Sequence, residues 1–349
     1  MNDLLLAEEI VKGFFEMFPD MFQSFSDVYF ENLTPETVLI MKVYCEFISN
    51  SKGREQAQEL LPNISTFTKY LGHHLHILSG LNDESADKAQ KEFLITQLFQ
   101  IAKFLDFADE MGRRNLCSAI SELIANEDIP DVQFESCIAL LRKASQSDMD
   151  FICIISELIS DLKEVFAAQS KEDLVKLQQD LQALNLNDTD LMNIKLKANL
   201  RALNITRFVL CGCSDIIQNS PILNGFLNEL VLPSLGSPFA LLQSVGLKCL
   251  GQACLMNKDI AIQYFSVFVS FFQHGGHEST RLDSLRIMFD VLMLFGPDTF
   301  NDSDPIQILL STFEEGTPEI LSVSVEGFAK LMFLDIVKDS KVNDFVLIK

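Results

Sequence analysis

The chain has 349 residues, of which 48% are apolar and 22% charged, and its net charge is −22. That apolar content excludes a disordered chain, and the acidic balance opposes tight binding of a polyphosphate by the chain on its own. With only 15 glycines and 10 prolines, and no strictly alternating β-branched runs, the chain reads as all-α, and its length suits a stacked array better than one compact core.

In chain order, Asp3 to Phe18 reads as the first helix, followed by a loop at Pro19. The second helix starts clearly: Thr34 is placed to cap it, Pro35 sits in the first turn and Glu36 lies beside the positive helix end. Its apolar stripe is Val38, Met41, Cys45 and Ile48. Gly53 to Leu61 is a shorter helix ended by Pro62, and Ser65 to Ser79 follows, ending near Gly80. Asp83 to Lys91 is polar and reads as a loop leading into a helix from Glu92 to Leu105. Asp109 to Asn126 and Pro130 to Ser145 form a helical pair, and Ser147 to Ala168 comes next. Ser170 to Leu184 carries Leu174, Leu177, Leu181 and Leu184 at helical spacing but is too short for an independent coiled coil. After a turn over Leu186 to Asp190, a long helix runs to about Asn219 and stops at Ser220-Pro221.

From Ser237-Pro238 onward the chain repeats at a spacing of 39 residues. Leu250, Phe289 and Phe328 form one column; Ala253, Leu292 and Leu331 form a second, and Met256, Phe295 and Leu334 a third. Ser237 is expected to cap a helix to Met256, Asp259 to open its partner to His274, and Gly275-Gly276 to turn the chain. The next pair is Glu278 to Phe295 and Asp304 to Glu315, and Thr317-Pro318-Glu319 caps a helix to about Lys338. A repeat near 40 residues with two helices per unit marks a HEAT or armadillo solenoid. The predicted fold is therefore an all-α, HEAT-like α-solenoid, a right-handed superhelix of helix pairs whose hydrophobic columns lie between successive helices. Its segments are helical repeats over 1–168, an irregular helical linker and long helix over 169–219, and further repeats over 220–349. The last stretch, Val342 to Lys349, is apolar where a complete array would carry a polar cap, so a piece of a longer array is expected.

Chemistry-bearing motifs are sparse. The eight cysteines show no CxxC pair, and Cys211-Gly212-Cys213 lies in a helical run where the two side chains diverge; small core residues in a reducing compartment are expected. His73 and His76 share a helix face, but with no cysteine near them and no HExxH they read as structural or exposed, and His274 and His277 read as loop residues. There is no GxSxG, Walker A loop or strand-linked GxGxxG, and adjacent acids such as Glu8-Glu9, Asp109-Glu110 and Glu314-Glu315 point to different sides of a helix. No catalytic residue, cofactor or metal site is expected. The first residues, Met1-Asn2-Asp3-Leu4, lack a basic n-region, and the longest apolar runs fall short of the roughly 18 residues of a membrane helix, so a soluble, intracellular chain without membrane contact is expected.

Two surfaces stand out. From Ile194 to Ser214 there is no acid, while Lys195, Lys197, Arg201 and Arg207 are present, with Lys197 and Arg201 as i, i+4 neighbours. This window is either an ordinary solvent-facing strip or a contact for DNA or an acidic partner. The run Tyr264, Phe265, Val267, Phe268, Val269, Phe271 and Phe272 leaves little polar face, so that helix must bury more than one side. Neighbouring repeats would cover it all, or an extended peptide would dock there, with Tyr264, Phe268 and Phe271 as anchors. Phe14, Phe15, Phe18, Met21 and Phe22 pose the same choice, with an upstream repeat as the expected cover.

Several ordered segments carry a resemblance. Ser244-Val245-Gly246-Leu247-Lys248-Cys249-Leu250-Gly251 with Asn257-Lys258-Asp259, and Leu285-Arg286-Ile287-Met288-Phe289-Asp290-Val291-Leu292 with Gly296, resemble the C-terminal conserved region of the CAP-G subunits of condensin. Leu33-Thr34-Pro35-Glu36 with Tyr44-Cys45-Glu46-Phe47, and Leu60-Leu61-Pro62 with Tyr70-Leu71, resemble that family's middle repeats. The segments stand in the family's order over about residues 31 to 300, and Ser170 to Leu184 falls where relatives carry a charged helical insertion. The resemblance implies a non-enzymatic HEAT scaffold that binds the kleisin CAP-H in extended form, meets the SMC ATPase subunits indirectly and supports mitotic chromosome condensation. It implies location in the nucleus, on mitotic chromosomes and in part in the cytoplasm. In that family a basic groove formed with the kleisin traps double-stranded DNA; much of it would lie in the N-terminal half of the arch, which the resemblance implies is missing from this sequence, so weak DNA binding is expected of the chain alone. A different HEAT adaptor, in transport or phosphatase regulation, is the competing reading.

Overall fold

The computed structural model describes residues 2–19, 21, 22, 24, 25, 30, 33–79, 86–126, 131–167, 188–213, 221–300 and 304–337, and every regular element among them is helical. The predicted leucine-bearing helix Ser170 to Leu184 and the apolar stretch Val342 to Lys349 lie outside the described residues. The chain divides into two compact units, Met1–Leu158 and Ile159–Lys349.

The first unit contains α1 (Asn2–Met17), α2 (Pro35–Ser51), α3 (Arg54–Glu59), α4 (Ile64–Ser79), α5 (Ala86–Ala102), α6 (Glu110–Asn126) and α7 (Asp131–Ala144). The unit boundary falls within α8 (Asp148–Ala167). Sequential helices pack as hairpins, and alternate helices stack: α2 on α5 on α7 in one layer, α4 on α6 in the other. This is the two-layer stack of a HEAT-like solenoid. The start of α2 shows why local sequence and packing agree. The Thr34 hydroxyl accepts from the Thr37 N–H at 3.3 Å and the Thr37 hydroxyl accepts from the Thr34 N–H at 2.8 Å, a reciprocal capping box. All four stripe residues, Val38, Met41, Cys45 and Ile48, are buried.

Tyr44 on α2 anchors the loop after α1. Its hydroxyl lies 3.0 Å from the carbonyls of both Pro19 and Phe22, and its ring meets Phe15 at 4.9 Å and Phe22 at 5.1 Å between centroids. Phe15 is thereby covered within the unit, whereas Phe14, Phe18 and Met21 are exposed. The expectation that an upstream repeat covers the whole aromatic group therefore fails for Phe15. The predicted loop from Asp83 to Lys91 also needs correction: α5 begins at Ala86. Alanine, lysine, glutamine and glutamate are strong helix formers, and polarity alone was a poor guide to a loop there.

His74 is buried on α4. Its Nε2 faces the Phe30 carbonyl at 3.4 Å and its Nδ1 lies 3.1 Å from Lys91 Nζ. A carbonyl only accepts and an ammonium only donates, so the ring is neutral with its proton on Nε2. Burial, with Lys91 second, lowers its pKa to about 4.

In the second unit, α9 (Asp188–Gly212), α12 (Ala240–Met256), α14 (Glu278–Phe295) and α17 (Pro318–Phe333) stack in succession, and α13 (Lys258–His274) packs against both α12 and α14. Two short helices, α10 (Pro221–Phe226) and α11 (Leu232–Leu235), are joined by a π turn, Leu227–Val231; α15 (Pro305–Leu310) and α16 (Thr312–Glu315) precede α17. Two repeat columns are buried as expected: Leu250, Phe289 and Phe328, and Ala253, Leu292 and Leu331. The third is not, since Met256 and Phe295 are half-buried and Leu334 is 50% exposed. Positions three apart rotate by about 60° per step around a helix, so the third position has turned some 120° away from the first.

Two glycines set the distance between stacked helices. A Cβ at Gly327 would lie 2.4 Å from the Phe289 ring, and one at Gly251 would lie 2.8 Å from the Ile287 side chain. The Phe289 ring in turn meets Phe328 edge-on at 5.3 Å. Helix ends depart from expectation in several places: α9 starts at Asp188, inside the predicted turn, and the helix predicted from Asp304 to Glu315 is two, α15 and α16. Ser237 does not cap α12; its hydroxyl accepts from the Phe239 N–H at 3.2 Å, a local turn across Pro238, and the helix starts at Ala240. The last helix ends at Phe333 rather than near Lys338. Asp335 takes a left-handed conformation (φ 59°), with the Asp335 N–H on the Met332 carbonyl and the Ile336 N–H on the Leu331 carbonyl, both at 3.0 Å. This is a Schellman ending without the usual glycine signal.

Phe289→Ala is expected to cost about 3–5 kcal/mol and Gly327→Ala about 1–3 kcal/mol, both seen as lower thermal midpoints; a Gly327→Ala chain as stable as the parent would show that the ring has room. For His74, the folded pKa lies below the unfolded value of about 6.5, so the unfolded chain takes up the proton first. Stability is then level above pH 6.5 and falls as pH drops toward 4, by about 1–2 kcal/mol at pH 5. Urea unfolding at pH 7 and pH 5 should show His74→Gln lacking this part of the acid sensitivity.

Candidate partner-binding site

A groove of about 500 Å³ opens in the second unit between the C-terminal end of α8, the start of α9 and the segment from the π turn to the start of α12. Its origin lies in Pro233. A proline inside a helix lacks a donor and crowds the carbonyl four residues back, here that of Glu229. Upstream of it the chain widens into the π turn, where the Leu232 N–H reaches the Leu227 carbonyl. Such turns often mark functional sites. Leu230, Pro233, Phe239 and Leu242 form one apolar wall, and Met192 and Leu196 of α9 form the other.

The rim is polar. Lys163 Nζ lies 2.5 Å from Glu229 Oε2, and this hydrogen bond and the lysine charge hold the Glu229 carboxyl below its ordinary range. Lys195 and Asn199 complete the rim. The groove thus combines apolar walls with a few charged groups that would set register, the arrangement an extended peptide needs.

Of the four residues of the basic window, Lys195 reaches this groove. Lys197 is exposed on another side of α9, and Arg201, one turn on, is half-buried. Arg207 is half-buried with its guanidinium 4.4 Å from the centroid of the Phe208 ring. The window is therefore divided around α9 and does not form one stripe, because lysines two apart on a helix diverge.

On α13, Phe268 is fully buried, together with Ala261, Phe265 and Phe272. It belongs to the unit's core and is not an open anchor. Tyr264 and Phe271 are half-buried, and Ile262 is 49% exposed. The helix divides its aromatic content between packing on α12 and α14 and a partly open strip.

Two further features bear on chemistry. Cys45, Cys249 and Cys254 are buried and their thiols are pushed up to about 12 by burial, so they are inert fillers; Cys153 and Cys211, by contrast, are exposed, against the expectation of core placement. Among the described residues no three His, Cys, Asp or Glu side chains are placed to hold a metal ion, and no helix is long and apolar enough to cross a membrane. The groove was not legible in the sequence: its walls come from four separate elements, and the only local signal was the pair Pro233 and Pro238.

Comparison with known proteins agrees with this architecture. Residues 201–347 match the family described as nuclear condensing complex subunits, C-terminal domain. Over 328 residues the chain is 25% identical to condensin complex subunit 3 of Xenopus laevis, which takes in 77% of this chain and 32% of that protein. It is 23% identical to the Schizosaccharomyces pombe subunit, over 95% of this chain and 41% of that one, and 22% identical to the human subunit, over 89% and 40%. The chain therefore spans well under half the length of these relatives. The crystal structure of the S. pombe condensin Cnd3–Cnd2 subcomplex superposes with a TM-score of 0.70 at 21% identity, over 95% of this chain and 42% of that chain. Throughout its two units the chain is thus similar in sequence to condensin complex subunit 3, and it shares the helical fold of that subcomplex.

Proposed function

We propose that the chain serves condensin as a non-enzymatic HEAT scaffold in the manner of subunit 3, holding the kleisin CAP-H as an extended segment and supporting mitotic chromosome condensation. The SMC ATPase subunits are met indirectly, through the kleisin, and the site of action is the nucleus and the mitotic chromosome, with a cytoplasmic share. The observation that carries this reading is the match of residues 201–347 to the condensin subunit family over the same stretch that holds the buried 39-residue columns. The solved relative contains a second subunit, Cnd2, which supports a scaffold role. A solenoid exchanges only nearest-neighbour contacts and offers long surfaces to extended partners.

Within that reading, the kleisin docks on the second unit. Tyr264 and Phe271 on α13 are its aromatic anchors, and the groove beside α9 takes a further apolar side chain, with Lys195 and the Lys163–Glu229 pair at its rim. Truncating an anchor costs about 2 kcal/mol or more, roughly thirtyfold in affinity. Titration of a CAP-H fragment against the parent chain, Tyr264→Ala and Phe271→Ala should show that loss with circular dichroism unchanged. Phe268→Ala should instead lower the thermal midpoint, as a core truncation does. A chain that fails to copurify with CAP-H at all would overturn the proposal, and equal affinity of the two folded anchor variants would remove α13 from the interface.

DNA contact belongs to the assembled complex. The isolated chain, at −22, is expected to bind duplex DNA in the non-specific range of about 10⁻⁴ M or weaker at physiological salt. Lys197→Glu with Arg201→Glu should change this little. Sub-micromolar binding by fluorescence anisotropy would contradict it.

A further inference from the structure

Three cations meet in the first unit without an acid between them. Arg54 opens α3, Lys103 directly follows α5 and Lys143 lies in the last turn of α7. Arg54 Nη2 donates to the Lys103 carbonyl at 3.2 Å, and Lys143 Nζ donates to the same oxygen. Lys103 Nζ donates to Gln100 Oε1 at 2.6 Å, and Lys143 Nζ lies 5.4 Å from the centroid of the Phe107 ring. Among the described residues no carboxylate pairs with any of the three. Asp106, the acid that follows α5, accepts instead from the Ala108 N–H at 3.0 Å.

A helix C-terminus attracts cations, and one lysine or arginine on the terminal carbonyl of α5 would be ordinary capping. A second cation on the same oxygen and a third beside it are not explained that way, since like charges at this range repel. Burial first, and then the charges of Arg54 and Lys103, lower the Lys143 pKa to about 8. Arg54 is exposed and the two lysines are half-buried, so the heads remain within reach of solvent.

We propose that Arg54, Lys103 and Lys143 form a docking site for a phosphorylated serine or threonine on an extended partner segment. A phosphoryl group carries a charge of about −1.5 to −2 and three acceptor oxygens, which suits the Arg54 and Lys143 donors that converge on one oxygen with the Lys103 charge close by. The rest of the chain decides between a single phosphoryl group and a nucleic acid. A duplex would bring about one charge per 1.7 Å toward a chain of net charge −22. A lone phosphoryl group meets the local cations and little of the surrounding repulsion.

The test uses the full chain and a fluorescein-labelled glycine-serine peptide carrying one phosphoserine, read by anisotropy. The phosphopeptide is expected to bind at least about tenfold more tightly than its unphosphorylated twin, and Arg54→Gln, Lys103→Gln and Lys143→Gln are each expected to weaken it by about tenfold, the worth of one charge-assisted hydrogen bond. Lys143→Arg should retain binding, and thermal unfolding of each variant confirms that it is folded. Equal binding of the two peptides, or unchanged binding in all three glutamine variants, overturns the proposal. So does inorganic phosphate that binds through Lys143 when the phosphopeptide does not, which would make this a free-anion site. Duplex DNA that displaces the phosphopeptide and itself depends on Lys143 would assign the cluster to nucleic acid instead.

Discussion

The structure of the second unit depends on contact between equivalent positions of successive repeats. Ser244 Oγ donates to Asp283 Oδ2 at 2.6 Å, and Thr317 Oγ1 donates to Glu278 Oε1 at 2.6 Å; in each pair the two residues stand 39 apart. Asp283 is buried, so its charge must be met, and Lys248 at 3.2 Å and Arg286 at 3.7 Å meet it. These polar links fix one register. A slip of α14 along α12 would leave a buried carboxylate unpaired, a cost of several kcal/mol that apolar contacts alone would not impose. The columns through Leu250, Phe289 and Phe328 then supply the burial, and Gly251 and Gly327 permit the close approach that the register requires.

This constraint determines which apolar side chains stay open. A helix that lies between two stacked neighbours has its apolar side chains claimed by them in proportion to its contact. On α13 that claim takes Ala261, Phe265, Phe268 and Phe272 and leaves Tyr264 and Phe271 partly open. The groove arises by the opposite route, through a local failure of regularity. A straight helix over Pro221 to Leu235 would press Pro233 against the Glu229 carbonyl, whereas the π turn moves the wall and leaves space. Regular stacking therefore produces core, and its interruptions produce candidate sites.

Much of the fold was legible because the signals were local and redundant. Thr34-Pro35-Glu36 declared a helix start, the α2 stripe declared its buried face, and the 39-residue spacing declared the stack. What failed to show was set by tertiary geometry. The third column looked equivalent to the other two, but a three-residue step rotates off the contact face, and nothing in the residue types Met256, Phe295 and Leu334 records that rotation. The end of α17 was hidden because Asp335, not glycine, takes the left-handed position. Phe268 and Phe271 were indistinguishable as residue types, and only the placement of α14 and α12 separates core from surface. The cation cluster was equally hidden, since Arg54, Lys103 and Lys143 come from three elements and each looks like an ordinary solvated side chain when read alone.

The charge balance bears on each candidate site separately. An excess of 22 negative charges sets a repulsive field toward any polyanion at distances of a Debye length, about 8 Å in physiological salt. Inside that length, local geometry prevails. The cations at Lys103 act at hydrogen-bond range, and so would Lys195 at the groove rim. Under the docking proposed above, this field opposes long charged polymers during approach and opposes a short segment carrying few charges much less. In that proposal, selectivity rests on how few charges the partner carries and where they fall.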